Sequence, residues 1–456
     1  MKKTLYLILG ILLLPLALGA QSLPKAEESF AKGDYSSALT QYKQLMQSAT
    51  GEERLHAQLR YAACQYGLGE YLNAAKTIWN YPLPENDLWK VRFLLYRIQI
   101  SDQAASVYRR LLNERQIDSN DAQNDPESWT KDEWESRITQ DYETLWAMRA
   151  ALINFPVERE TLILNIKETD TQRIPTLFDY VVFEWRNRLT AQKTVVPARL
   201  ENAEYLDGYA EVVPQQKEQA EKLAYLLKTA YLLDGKGRQN AKIFWQTDFI
   251  LLPFTQERFF ELNNKEKALN AAVSQLNVIS GFTPQTLGFW NKIKGYVSAD
   301  NTDYGRSYAA YKAAELLWNR NGDREEALKI ARFGKGLNNG YYAKQCAQLE
   351  KQILKKELSF NALPKAINPQ KTELSFTARN AQEVFVRIYK TSYEELLKFY
   401  RAGQVGRTVN SWDFLTRLSG KNIKEVLSRA PYKAASTQVM YERPYFEQKA
   451  TVALPP

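Results

Sequence analysis

The side chains that most often carry out enzyme chemistry are scarce in this chain of 456 residues. It has one histidine, His56, and two cysteines, Cys64 and Cys346. A single histidine excludes a His-rich metal site and makes a Ser-His-Asp triad improbable. His56 and Cys64 are eight residues apart, which is about 12 Å along a helix axis and too far for a thiolate–imidazole pair. We therefore expect no catalysis from these residues.

Two acidic features remain as candidates for acid–base chemistry. Asp132, Glu133 and Glu135 lie close together, but the start of a helix also favours negative charge, and we favour that structural role. Asp179 interrupts the apolar run of residues 175–180, either as a buried hydrogen-bond anchor or as a solvent-facing residue, and again we favour a structural role. Neither a Gly-rich phosphate loop nor a Gly-x-Ser-x-Gly elbow is present in the sequence. The sequence predicts a protein that is not an enzyme and uses no cofactor or metal.

Composition narrows the choice of partners. The formal net charge is +9, but basic and acidic residues are interleaved and form no concentrated basic tract. Nucleic acid is therefore not an expected partner.

Cys64 lies in an apolar run of helical spacing, far from Cys346 in sequence. We predict two isolated buried thiols, with a disulfide as the alternative that export would permit.

The N-terminus has the features of a secretory signal peptide. Two lysines precede an apolar run from Leu5 to Leu18, and the small residues Gly19 and Ala20 follow it. Cleavage could follow either small residue. An uncleaved anchor is the alternative, although the run is shorter than the about 20 residues of a membrane span. Because no cysteine follows either site, we expect an exported protein of the periplasm or cell envelope that is not lipid-anchored through an N-terminal cysteine.

The elements that would position these residues fall into two blocks of different period. From about Ala26 to Lys356 apolar residues recur at helical spacing, whereas residues 373–378 and 383–389 alternate as half-buried strands do. Two periods in separate blocks indicate an α + β multidomain protein. The predicted parts are a signal peptide at 1–20, an α-helical region at 21–356, and a β domain at 357–456 with a helical insertion at 391–440.

The helical block begins with a repeat whose offset is 36 residues. The segment Lys32-Gly-Asp-Tyr-Ser-Ser-Ala38 matches Leu68-Gly-Glu-Tyr-Leu-Asn-Ala74, and a third unit occurs near residue 322. The glycine would end one helix in a left-handed conformation, the aromatic residue would pack into the turn, and the small alanine would let the second helix approach. The pattern resembles the tetratricopeptide repeat, with accidental similarity of helical hairpins as the alternative. The predicted repeat-packing residues are Gly33, Tyr35, Ala38, Gly69, Tyr71, Ala74, Gly322 and Ala327.

The helical pattern continues less regularly between these units. The polar segment Asp118–Asp132, which contains Pro126, is predicted to be an exposed loop. A curved helical array offers a concave surface, and surfaces of this kind usually bind protein. The predicted partner is therefore a protein.

Three segments of the β block resemble the first macroglobulin domain of bacterial alpha-2-macroglobulins of the Bacteroidetes type. They are Leu358–Pro364, Leu374–Asn380 and Val384–Lys390, of which the second ends in Arg-Asn and the third in Arg-Ile-Tyr-Lys. Residues 174–180 and the unit from Gly322 to Ala331 also resemble that family. The resemblance implies that residues 357–456 form a macroglobulin-type β-sandwich.

The resemblance also implies a function. Members of the family are several times longer, so we expect the N-terminal part of an exported broad-spectrum endopeptidase inhibitor, with a β domain truncated at its C-terminus. In the family the bait region and thioester lie downstream, and neither Cys64-Gln-Tyr-Gly67 nor Cys346-Ala-Gln-Leu349 fits the Cys-x-x-Gln thioester motif. The segment would then be a structural and protein-interaction module that meets proteases through the full-length inhibitor. The alternative is a free-standing exported scaffold of tetratricopeptide type that binds a partner protein or an envelope component through the helical array.

Overall fold

Helices dominate the part of the chain that the computed structural model describes. The chain divides into two units, Met1–Glu350 and Lys351–Pro456. The predicted division at 356/357 lies just beyond this one. The structure describes residues 22–109, 125–191, 198–200, 219–257, 260–262, 264–282, 302–321, 323–362, 375–380, 383–388 and 446–451. The predicted signal peptide and the predicted insertion at 391–440 lie outside these residues.

Fourteen α-helices run through the described residues. Two other helical turns accompany them, a 3₁₀ turn at Val157–Arg159 and a π-helical turn at Leu317–Asn321. In chain order the helices are α1 (Leu23–Ala31), α2 (Tyr35–Ser48), α3 (Gly51–Gly67), α4 (Tyr71–Asn80), α5 (Asp87–Val107), α6 (Lys131–Ala147), α7 (Arg149–Leu152), α8 (Leu177–Ala191), α9 (Gln219–Leu232), α10 (Gln239–Thr255), α11 (Lys265–Ser280), α12 (Asp303–Leu316), α13 (Arg324–Leu337) and α14 (Tyr341–Leu354).

The helices pack in a repeat-like manner, and most of them pack against a helix that precedes or follows them in the chain, while α10 packs against α12 as well. Buried side chains accordingly form successive clusters along the first unit. One contains Tyr42 and Cys64, the next Phe93 and Trp134, and the largest is centred on helices α6 to α10. The two short strands β1 (Ala198–Leu200) and β2 (Phe260–Leu262) pair in parallel.

The turns at Gly33 and Gly69 have the same backbone structure. Both glycines have left-handed φ angles, 77° and 81°. In the first turn Gly33 N donates to Phe30 O, and Asp34 N donates to Ser29 O. In the second turn Gly69 N donates to Tyr66 O, and Glu70 N donates to Gln65 O. These are the two hydrogen bonds of a Schellman motif, which satisfies the free carbonyls at a helix end. Each glycine thus ends one helix of a hairpin.

The side chains around these turns repeat as well. The rings of Phe30 and Tyr35 meet edge to face at 5.3 Å, and those of Tyr66 and Tyr71 do so at the same distance. Five residues after each glycine, the small side chain is fully buried. These residues are Ala38 and Ala74, together with Ala327 in the third unit. Gly322, the glycine predicted for that unit, lies outside the described residues.

The segment predicted to be the loop Asp118–Asp132 is described only from residue 125, and there the prediction is wrong in part. Trp129 is buried and packs edge to face against Trp79 and Trp134. Helix α6 already begins at Lys131. The polar residues around Trp129 led to the prediction of an exposed loop, although the side chain of Trp129 fills a gap between α4 and α6.

The prediction of a macroglobulin-type β-sandwich is wrong for the residues that the structure describes. Helices dominate the described part of the chain, and no β-sandwich is evident there. The described strands of the second unit pair only two by two, as antiparallel ladders β3–β4 and β5–β6. Alternation reports the local geometry of a strand and not the number of strands that it pairs with. Their bounds are β3 Glu357–Ala362, β4 Ser375–Arg379, β5 Glu383–Ile388 and β6 Phe446–Thr451.

Asn380 connects the β3–β4 ladder to the end of helix α14. It is the one described non-glycine residue with positive φ, at 53°. Its side-chain amide donates to Ile353 O at 2.6 Å and to Lys355 O at 2.9 Å. Helix C-termini leave carbonyls without partners, and this amide satisfies two carbonyls at the end of α14. Asn380, the last residue of the segment Leu374–Asn380, is therefore a helix cap.

Candidate functional site

Asp179 is a buried hydrogen-bond anchor, as the first of the two sequence alternatives proposed. Neither Asp179 nor its partner Arg238 has any exposed side-chain surface. Arg238 donates to both carboxylate oxygens, from Nη2 at 2.7 Å and from Nε at 2.9 Å. Trp245 Nε1 donates at 2.8 Å and Thr176 Oγ1 at 2.7 Å. A carboxylate enclosed by four donor groups has no contact with solvent and is not a catalytic acid.

Arg238 also closes the end of helix α9. Its guanidinium donates to Ala230 O at 2.9 Å and to Leu233 O. The Asp179–Arg238 pair therefore joins the start of α8, the end of α9 and the start of α10. Charged pairs that are well hydrogen-bonded in this way fix the relative position of elements more than they add stability.

The acidic group at residues 132–135 has the structural role that the sequence favoured. Thr130 and Glu133 form a capping box, in which Thr130 N donates to Glu133 Oε2 at 2.7 Å and Glu133 N donates to Thr130 Oγ1 at 3.3 Å. Glu135 accepts a hydrogen bond from Arg188 of α8. Burial raises the pKa of Glu135. These carboxyl groups belong to helix α6 and its packing.

Glu27 is a half-buried carboxylate that sequence reasoning did not detect. Arg60 donates to it from Nε at 3.0 Å and from Nη2 at 3.1 Å, and Tyr42 also donates to it. His56 Nε2 lies 2.8 Å from Oε1. Burial alone would raise the pKa of Glu27, but the hydrogen bonds from His56 and Tyr42 and the charge of Arg60 outweigh it and lower the pKa to about 2. The only histidine is thus part of a structural contact between α1 and α3.

Asp248 lies at the centre of a further charged cluster that the sequence did not reveal. Arg173 Nη2 lies 2.8 Å and Arg186 Nη2 3.4 Å from the same carboxylate oxygen, and the hydroxyl of Tyr308 donates to the other. Burial opposes the charge of Asp248, yet the two guanidinium groups hold its pKa below the usual range. Burial raises the pKa of Tyr308 well above its ordinary value. The phenol therefore stays protonated and donates to the carboxylate.

Aromatic rings surround this charged cluster. Phe244 packs against Tyr308 at 4.6 Å, and Tyr342 packs against Tyr308 at 4.7 Å and against Tyr304 at 5.5 Å. The ring of Tyr341 meets Tyr342 edge to face at 5.0 Å and is 58% exposed. We call Tyr304, Tyr308, Tyr341 and Tyr342 the tyrosine cluster. At one end of the cluster Tyr308 donates to the buried Asp248, and at the other end the ring of Tyr341 is exposed.

A groove lined by both polar and apolar side chains lies between α9, α10 and α11. It has a volume of about 320 Å³. Val278 at its edge is 74% exposed, whereas Phe249 and Ile250 at its base are buried. A groove of this size accepts an apolar side chain but encloses little more. Its lining residues are Tyr231, Gln246, Phe249, Ile250, Ser274, Gln275, Val278 and Ile279.

Both cysteines are free and buried, which confirms the prediction of isolated thiols. Burial raises the pKa of each thiol to about 12, so neither forms a reactive thiolate near neutral pH. In the part of the chain that the structure describes, no group of three potential metal ligands occurs. No helix there has the length and apolar character needed to cross a membrane.

The charged contacts that sequence reasoning missed join residues far apart in the chain. Arg60 and Glu27 are separated by 33 positions, and Arg173 and Asp248 by 75. A spacing rule within one helix covers three or four residues and gives no information at these separations. An arginine near apolar residues was the only available signal, and it does not identify its partner.

No family model, curated protein or solved structure matches this chain. The relation to alpha-2-macroglobulins stays a prediction from the sequence segments that suggested it.

Proposed function

We propose that this protein is a non-enzymatic helical-repeat scaffold that binds a partner protein through its tyrosine cluster. The observation that carries this proposal is the exposed ring of Tyr341 on a set of fixed aromatic neighbours. Tyrosine and arginine are enriched among the side chains that dominate the energy of protein interfaces. The cluster therefore has the composition of an interface centre.

The tyrosine cluster is held in place before any partner arrives. Tyr304 donates to Asp170 Oδ2 at 3.0 Å, and Tyr308 donates to Asp248. Arg173 lies 5.5 Å from the centre of the Phe244 ring and 5.8 Å from that of Tyr308. Side chains that are already ordered lose less entropy on binding, which favours affinity.

The polar groups of the cluster are occupied by one another, which argues against a catalytic role. The carboxylate of Asp248 accepts from two arginines and a tyrosine. Lys312, on the same helix as Tyr304 and Tyr308, is paired with Glu315 at 2.6 Å. A catalytic acid or base must reach a substrate, and these groups reach each other instead.

Export and membership of the endopeptidase-inhibitor family are further proposals from the sequence, and a scaffold is compatible with both. Export is tested by sequencing the N-terminus of the protein recovered from the cell envelope. We expect Ala20 or Gln21 as the first residue. Intact Met1 on cytoplasmic material would refute export and leave the scaffold proposal standing.

Binding through the tyrosine cluster is tested by site-specific photocrosslinking in the native cell. A photoreactive amino acid replaces Tyr341 in one variant and the exposed Lys32 of the first hairpin in a control variant. We expect a discrete protein adduct from position 341 and none from position 32. Adducts from both positions, or from neither, would contradict the proposal.

A second measurement uses the partner so identified, in purified form. Tyr341→Ala should weaken its binding about tenfold, the loss expected for removal of an interface anchor. Leu68→Ala is the matched control, because Leu68 is an exposed apolar side chain on a distant hairpin. Equal affinities for both variants would show that the tyrosine cluster is not the binding surface.

A further inference from the structure

The turn between α13 and α14 consists of Asn338, Asn339 and Gly340, and its two asparagines have different roles. Asn338 is tied to helix α12, since its Nδ2 donates to Asp303 O at 2.7 Å and to Ser307 Oγ at 2.6 Å. Asn339 is exposed. Its side chain makes no hydrogen bond that the described residues show. Among the described residues, no hydrogen bond therefore restrains the side-chain amide of Asn339.

The packing requires a glycine directly after this exposed asparagine. A Cβ atom on Gly340 would lie 2.8 Å from Cδ2 of Tyr304 and 2.9 Å from Oδ1 of Asn338. A larger residue is excluded by these contacts, although the φ angle of Gly340 is not in the left-handed region. Because Gly340 has no side chain, no Cβ atom shields its nitrogen from the side-chain carbonyl of Asn339, and the nitrogen can attack once its hydrogen bond to Asn338 opens. Its hydrogen already points to Asn338 Oδ1, at a donor–acceptor distance of 2.6 Å.

We propose that Asn339 is a site of spontaneous deamidation. The Gly340 nitrogen attacks Cγ of Asn339, loses its proton and forms a new C–N bond. The bond from Cγ to Nδ2 breaks, and ammonia leaves. Water then opens the cyclic imide at either carbonyl, which leaves aspartate or isoaspartate at position 339. Asparagine and water are consumed and the acid and ammonia are formed, with no oxidant or other reactant.

The two products have opposite effects on the fold. Aspartate adds a negative charge two residues before the first residue of α14, where the helix dipole favours it. Isoaspartate lengthens the main chain by one methylene group. The turn has no room for that change, because Asn338 is fixed on α12 and Gly340 is fixed against Tyr304. Aspartate is therefore expected to be tolerated, and isoaspartate to loosen the turn.

The site is tested by incubating the folded full-length protein at mildly alkaline pH and mapping its peptides by mass spectrometry. Asn270 is the internal control, because it is exposed on α11 and is followed by an alanine. We expect Asn339 to be largely converted, with both isomers present, before any conversion of Asn270 is detected. Equal rates at the two positions, or conversion of Asn339 only in urea, would overturn the proposal.

A comparison of melting temperatures then separates the effect of the added charge on stability from the effect of the longer main chain. Asn339→Asp carries the charge alone and should melt at or above the temperature of the fresh wild type. Aged wild type should melt lower, whereas aged Asn339→Gln should be unchanged. Aged protein that contains isoaspartate yet melts like Asn339→Asp would refute the structural part of the proposal. None of these outcomes depends on the scaffold function.

Discussion

The first two hairpins and the middle of the helical array hold their helices together by different means. The hairpins from α1 to α4 repeat one set of small and aromatic side chains at an offset of 36 residues. The middle, from α8 to α10, has no such repeat and relies on buried ion pairs such as Asp179–Arg238 and Arg173–Asp248. The same packing of small and aromatic side chains can recur in each repeat unit. Each ion pair, by contrast, joins two residues that are far apart in the chain and occurs at one place only.

Removal of one partner of a buried ion pair in the middle region should have the largest effect. Asp179→Ala leaves the guanidinium of Arg238 unpaired and without solvent, at a cost of about 3–5 kcal/mol. Urea unfolding followed by circular dichroism measures the change. Asp234→Ala is the control, because Asp234 is 90% exposed in its pair with Lys242. Similar losses for the two variants would show that the buried pair does not hold this region.

Overpacking of the repeated alanines should have the next largest effect. Ala38 and Ala74 are fully buried, so Ala38→Leu and Ala74→Leu should each cost about 1–3 kcal/mol. The melting temperature should fall for both variants and stay unchanged for Lys43→Leu, which alters an exposed residue of the same hairpin. If all three melted alike, the repeat would not be a packing pattern.

Acidification should weaken the contact between Glu27 and Arg60, an ion pair in the first hairpins like those of the middle region. Glu27 has a folded pKa of about 2 against an ordinary 4.5. Its contribution to stability is therefore present above pH 4.5 and lost as the pH falls towards 2. Because the site is partly exposed, we expect a loss of only about 1–2 kcal/mol.

Glu27→Gln is the variant that isolates this effect. The difference in unfolding free energy between wild type and Glu27→Gln should be constant near neutral pH and shrink as the pH falls from 4.5 towards 2. Denaturant titrations at several pH values measure it. A difference that does not vary with pH would mean that other carboxyl groups cause the acid sensitivity.

The turn glycines should give the smallest effect. Gly33→Ala and Gly69→Ala force a left-handed conformation on a residue with a Cβ atom, which costs about 1 kcal/mol. Gly336→Ala is the control, because Gly336 lies in α13, has no left-handed φ and has open space at its Cβ position. It should stabilise the protein by about 0.4–1 kcal/mol. Calorimetry that shows the same sign at all three positions would contradict this interpretation.

Sequence reasoning succeeded where the signal is local and failed where it is not. The left-handed turn glycines Gly33 and Gly69 and the helix-start role of the acidic residues at 132–135 follow from neighbouring residues. The burial of Trp129 and the pairing of strands two by two depend on partners distant in sequence. The β-sandwich was inferred from strand periodicity and family resemblance, neither of which counts the strands that meet in one sheet. For the same reason the tyrosine cluster was not foreseen, since its rings come from separate helices.

The cap formed by Asn380 has a consequence for any attempt to divide the chain into expressible pieces. A helical fragment that ends at residue 356 would carry the carbonyls of Ile353 and Lys355 without the amide that satisfies them. The last turn of α14 would then fray and expose Leu354 further. The same cut would leave Asn380 in its left-handed conformation without the two acceptors that hold it there. A fragment that contains the helical region should therefore extend past Asn380 and should not end at residue 356.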